Sequence, residues 1–124
     1  MIKIGITGSL ASGKTTVAKL MSGNKYPIFN ADKIVRSIYH KKNFISKIKK
    51  EFNLLNIKNL KKKIKNLIKE DKKNLKKLEQ IIHPLVRREM RLFMRSKKNI
   101  KITIYEIPLL IESKLTKYFD VIVF

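Results

Sequence analysis

Residues Gly5–Leu20 read GITGSLASGKTTVAKL, and within them Gly8, Gly13, Lys14 and Thr15 satisfy the pattern G-x-x-x-x-G-K-[ST]. Glycines at this spacing let the backbone turn with its N–H groups pointing inward, a nest for phosphate oxygens at a helix N-terminus. Lys14 adds a positive charge between the β- and γ-phosphates, and the Thr15 hydroxyl can ligate Mg²⁺. An accidental match in a chain of this size is on the order of one in a few hundred. The flanks agree with the motif. IKIGIT (Ile2–Thr7) is a short β-rich apolar run that stops at glycine. TTVAKLM after the loop has helix formers, with Val17, Leu20 and Met21 on or near one face. Strand, glycine loop, helix is the setting of a P-loop.

GNKYP breaks that helix, and IFNAD reads as a second short strand ending in polar residues. Strand, crossover helix, strand is the βαβ unit of a parallel sheet. From Lys33 to about Lys98 the pattern turns helical. Ile57, Leu60, Ile64, Leu67 and Ile68 recur at helical spacing, as do Leu75, Leu78, Ile81 and Ile82, with Asp71 as a candidate cap. Pro84 is expected to end or restart a helix, after which Leu85, Val86, Met90, Phe93 and Met94 continue the apolar stripe. Strand character returns at Ile100–Ile107 and again at Tyr118–Phe124. The expectation is an α/β protein with a P-loop NTPase-type parallel sheet in three α/β/α layers. Residues 1–32 and 100–124 would form the core, and 33–99 a helical insertion.

Composition narrows the classes. A chain of 124 residues, 44% hydrophobic, suits one compact domain with a real core. It has no cysteine, which fits a reducing compartment, and its two histidines, His40 and His83, offer no zinc-site spacing. No apolar run approaches the roughly 20 residues of a membrane span, and the N-terminus lacks a signal-peptide pattern. A cytoplasmic protein without a membrane partner is expected. The 30 Lys and Arg against 9 Asp and Glu give a net charge of +21, which favours polyanions such as nucleotides or nucleic acid. Composition drift towards Lys, Asn and Ile explains the same excess.

A P-loop alone does not distinguish a kinase from a GTPase, but a guanine-reading N-K-x-D motif is absent. Asp32, just beyond the second strand, falls on the carboxyl-end side of the sheet, as does Lys14. In a small-molecule kinase a carboxylate there orients an acceptor hydroxyl and accepts its proton. The competing reading makes Asp32 the cap of the helix KIVRSIY.

Four stretches, GITGSLASGKTTVA, NADKIVR, IIHPLV and IPLLIES, occur in the order seen in dephospho-CoA kinases, and the chain resembles that family over nearly its whole length. The resemblance implies ATP- and Mg²⁺-dependent phosphorylation of the ribose 3′-hydroxyl of dephospho-coenzyme A, the last step of coenzyme A synthesis. It also implies a helical domain for the acceptor, and a lid. Carried over by position, Thr7, Gly8, Ala11, Ser12, Gly13, Lys14, Thr15 and Thr16 would cradle ATP, and Asp32 would be the catalytic carboxylate. Arg36, one turn later, would pair with Asp32 or with a substrate phosphate. His83 and Pro84 would shape the acceptor domain, with an N-cap or a buried polar hinge as the other reading of His83. Pro108, Leu109 and Leu110 would line the acceptor pocket, although packing explains them equally. Glu106 stands where such enzymes place an acid that holds a Mg²⁺-bound water; a surface glutamate is the alternative.

Two departures stand out. Asn30 replaces an acid that the family usually carries two residues before the catalytic one, and tuning rather than loss is expected because an amide both donates and accepts. The family also continues into an arginine-bearing lid, a fifth strand and a further helix after the fourth strand, where this sequence stops. A fragment or a decayed gene is the expectation, with weak nucleotide binding and slow transfer. Two other functions remain open: a different small P-loop kinase, acting on nucleotides or sugars, and a basic nucleic-acid-binding remnant. Against the remnant, there is no recognition-helix motif and no basic sheet interleaved with aromatics.

Overall fold

The computed structural model describes residues 1–8, 18–19, 23, 25–108 and 115–123. Four strands form one sheet: β1 (Ile2–Gly8), β2 (Ile28–Asn30), β3 (Ile102–Pro108) and β4 (Val121–Val123). Four helices, α1 (Ala31–Ile38), α2 (Lys42–Glu51), α3 (Leu60–Glu70) and α4 (Lys73–Ser96), separate β2 from β3. The strand order is β2-β3-β1-β4 and every pairing is parallel. β2 therefore does not pair with β1. The chain leaves a gap between them, and β3 fills it on returning from the helices.

The register explains the layers. Ile4 pairs with Ile104 and Ile6 with Glu106, while Gly5 pairs with Tyr105. Side chains alternate along a strand, so Ile6, Ile104 and Ile28 share one face and Tyr105 and Phe29 the other. On the first face, Ile6 and Ile104 cluster with Ala18, which lies in a helical stretch at Ala18–Lys19. On the second, Phe93 of α4 stands 5.5 Å from both Phe29 and Tyr105, ring centre to ring centre, and Phe119 stands 5.1 Å from Tyr105. Helical residues thus cover both faces, as the α/β/α pattern requires. Burial of each large apolar side chain contributes about 1.5–3 kcal/mol.

Two compact units divide the chain: Met1–Ile34 with Val86–Phe124, and Val35–Leu85. The change from strand to helical pattern in the sequence puts the boundaries at 32/33 and 99/100; in the structure, α4 from Val86 onward groups with the sheet, since Phe93 packs on Phe29 and Tyr105. In the helical unit Phe44, Ile48, Ile64 and Leu78 are buried. Tyr39 meets Phe44 edge-on at 5.0 Å.

Several local expectations are corrected. Pro84 neither ends nor restarts a helix: α4 runs unbroken for 24 residues with Pro84 inside it. Pro84 cannot supply the usual N–H to the Gln80 carbonyl, yet Leu78, Ile82, Leu85, Val86 and Met90 are all buried along the helix. That burial outweighs the local cost. Ile57 precedes α3 and is 46% exposed. Tyr118 belongs to a short 3₁₀ turn, Thr116–Tyr118, so the last strand begins only at Val121. Asp71 does cap: its Oδ1 accepts from the Lys73 N–H at 2.9 Å, where α4 begins.

Candidate functional site

Parallel strands end on one side, and three of those ends carry the candidate residues. β1 ends at Gly8, the first glycine of the P-loop motif, and β3 ends at Pro108, its register partner. Thr7, one residue earlier, is buried. β2 ends at Asn30, and α1 starts at the next residue with Asp32 in its first turn. Ala11, Ser12, Gly13, Lys14, Thr15 and Thr16 lie outside the described residues, as do Leu109 and Leu110.

β3 lies between β2 and β1, which makes Glu106 central. It pairs in register with Asn30 on one side and Ile6 on the other. Its side chain is buried, at 4% exposure, so the surface-glutamate reading of Glu106 is overturned. The Asn30 amide nitrogen donates to Glu106 Oε2 at 2.9 Å. The Asn30 amide oxygen accepts from the Lys33 backbone N–H at 3.1 Å. The second bond is an N-cap, closing the third N–H of α1. The cap reading of Asp32 is therefore corrected: Asn30 caps α1, and Asp32 stands in the turn that Asn30 holds, partly exposed. A carboxylate in a first helical turn is also favoured by the helix dipole.

Arg36 is exposed in the last turn of α1. His83 is buried ten residues into α4, which removes its N-cap reading and leaves it a buried polar residue of the helical unit. Within that unit a cavity of about 450 Å³ is lined by Tyr39, His40, Ile45, Ile57, Leu60 and Lys61, among others. Its volume falls within the ordinary range for small-molecule sites, roughly 300–1,000 Å³. Lys61 Nζ stands 5.7 Å from the Tyr39 ring centre, and burial pushes the Tyr39 hydroxyl above the ordinary tyrosine range. Among the described residues, no cluster of three or more His, Cys, Asp or Glu forms a metal cage. No described helix is long and apolar enough to cross a membrane.

Sequence reasoning missed the double role of Asn30 and this cavity. Asn immediately before a helical run is an N-cap signal that was available. The Glu106 partnership was not, because it depends on which strand lies beside β2.

A parallel sheet whose first strand ends at the motif's first glycine defines an α/β protein of the P-loop NTPase class. Within that class the match is specific: the family model described as dephospho-CoA kinase matches residues 2–124. The chain belongs to the dephospho-CoA kinase family. The dephospho-CoA kinase of Rickettsia prowazekii (strain Madrid E) is 39% identical over 126 residues, covering 99% of this chain and 64% of that protein. That of Fusobacterium nucleatum is 39% identical over 121 residues, covering 94% and 62%. Among solved structures, the dephospho-CoA kinase from Campylobacter jejuni matches with a TM-score of 0.72 at 26% identity, over 98% of this chain and 64% of that one. A crystal structure from Thermus thermophilus matches with a TM-score of 0.67 at 31% identity, over 98% and 63%. The chain thus spans slightly less than two thirds of the length of these relatives.

Proposed function

We propose that this chain carries the nucleotide-binding and acceptor-activating part of a cytoplasmic enzyme that phosphorylates the ribose 3′-hydroxyl of dephospho-CoA with ATP. Family membership supports the reaction class. The observation that carries the reading is the carboxyl edge itself. There Asp32 and the buried Glu106 come from strand ends in the same sheet as the strand that leads into the glycine-rich loop.

In this reading, backbone N–H groups from Gly8 to Thr16 and the Lys14 ammonium hold the ATP phosphates. Asp32 orients the acceptor hydroxyl and takes its proton as the new O–P bond forms, while the bond from the γ-phosphorus to the bridging oxygen breaks and ADP leaves. The donors suit a hard divalent cation: a buried carboxylate with a neutral amide beside it, a hydroxyl at Thr15, and phosphate oxygens. Thr15 would hold Mg²⁺ directly and Glu106 through water, and the ion supplies neutralisation of phosphate charge. Arg36 would meet a substrate phosphate, and His83, Pro108 and Leu109 would shape the acceptor's surroundings. The cavity with Tyr39, His40 and Lys61 suits an anionic acceptor that also carries apolar groups.

Thermal unfolding tests both halves. ATP with Mg²⁺ is expected to protect the chain, and Lys14→Ala to remove most of that protection. Among dephospho-CoA, nucleoside monophosphates and gluconate, only dephospho-CoA is expected to add protection and to yield a 3′-phosphorylated product. An unchanged shift in Lys14→Ala, or preference for another acceptor, overturns the reading.

A further inference from the structure

We infer that Asn30 is a positioning residue. One amide group locks the Glu106 carboxylate and the Asp32-bearing turn of α1 into a single arrangement, independently of any bound cation. The inference rests on the phosphotransfer reading for its kinetic consequence only.

The geometry leaves little slack. Asn30 and Glu106 are register partners on adjacent parallel strands, so their side chains rise side by side from the same face. α1 begins at Ala31 without a linker, and Ala31 is fully buried. The direction of the first turn of α1, and of Asp32 within it, is therefore set at Asn30. The side chain is used at both ends: its nitrogen donates to Glu106 Oε2 at 2.9 Å and its oxygen accepts from Lys33 N–H at 3.1 Å. These two partners also fix which end of the amide is which.

No other small side chain does both. Serine would keep the cap, but its hydroxyl lies one bond short of the amide nitrogen. Alanine would lose both bonds. Aspartate would keep the cap but present a second carboxylate to Glu106 at hydrogen-bond distance, where like charges oppose each other unless a cation or a proton lies between them. Asn30 thus lets Glu106 stay in place with no cation present.

The test compares Asn30→Asp, Asn30→Ser and Asn30→Ala with the unaltered chain, by melting temperature with and without millimolar MgCl₂ alone, and by turnover with dephospho-CoA. Asn30→Asp is expected to melt about 3–6 °C lower without Mg²⁺ and to recover most of that loss when Mg²⁺ is added. The unaltered chain should respond far less to Mg²⁺ alone. Asn30→Ser and Asn30→Ala should both lose about tenfold or more in kcat, with the KM for ATP within about twofold. The inference is overturned if only Asn30→Ala is impaired, because Asn30 is then a helix cap and nothing more. It is equally overturned if Mg²⁺ shifts Asn30→Asp and the unaltered chain alike. The Mg²⁺ response needs no acceptor, so it decides the matter even if dephospho-CoA proves to be the wrong substrate.

Discussion

Gly5 in β1 and Phe119 after the 3₁₀ turn are in such close contact that a Cβ on Gly5 would stand 2.8 Å from Phe119 Cδ2. That ring also packs at a tilt against Tyr105, whose register partner is Gly5. The absence of a side chain at Gly5 is what lets the 115–120 segment close over the sheet. Asp120 then fastens it: Lys3 N–H donates to Asp120 Oδ2, and Asp120 N–H donates to the Lys3 carbonyl, both at 2.8 Å.

Gly5→Ala is therefore expected to destabilise by about 1–3 kcal/mol through overpacking. Urea unfolding measures this. The double variant Gly5→Ala with Phe119→Leu should lose less than the two single changes added together, since the smaller side chain makes room for the methyl group. Simple additivity would show that the contact is not what forbids a side chain.

How legible these features were depends on how local their causes are. The strand before the P-loop, the cap at Asp71 and the helical stripe from Leu60 to Ile68 follow from neighbouring residues and appear as read. Ile57 fits the same stripe by spacing, but it precedes the N-cap Asn59, whose backbone is left-handed. Pro84 is a local stop signal overridden by burial on both sides of it. The Asn30–Glu106 pair joins residues 76 positions apart and exists only because β3 inserts beside β2. Spacing along the chain does not contain that fact.

Pro84 gives a second test. It is exposed, so Pro84→Ala should restore the bond to the Gln80 carbonyl without disturbing the core. A gain of about 1–3 kcal/mol in unfolding free energy is expected. A loss of stability would mean that α4 is bent at this point and that the ring fits the bend.

Tyr105 makes stability depend on alkaline pH. Burial pushes its hydroxyl above the ordinary range, and the bond of 2.9 Å with Thr103 works weakly in the other direction. The folded state therefore holds the proton more tightly than the unfolded chain, where a tyrosine loses it near about pH 10. The resulting stabilisation is complete below that pH and is lost as pH rises through the higher folded value. Tyr105→Phe should cost about 0.5–1.5 kcal/mol at neutral pH, because fully buried Thr103 loses this partner. It should also flatten the fall in stability above about pH 10. An unchanged alkaline slope would assign that fall to Tyr39, which burial shifts in the same direction.

In the proposed function Asp32 has two separable roles, and the Asn30 cap makes the separation possible. Because Asn30 supplies the cap, Asp32 contributes to helix stability only through its charge in the first turn, about 0.3–1 kcal/mol. Asp32→Asn removes that charge with almost no change in shape. The melting temperature should fall by no more than a few degrees, and protection by ATP with Mg²⁺ should persist, because the proposed phosphate-binding residues, Gly8 to Thr16, lie in another segment of the chain. Turnover with dephospho-CoA, measured in a version extended to the length of the relatives, is the sensitive quantity. An amide cannot accept the acceptor's proton, so kcat should drop about 10²-fold or more. Near-normal turnover in Asp32→Asn would confine Asp32 to the helix dipole and leave Glu106 as the carboxylate nearest the reaction. Loss of ATP protection together with turnover would instead show that the substitution disturbs the carboxyl edge as a whole.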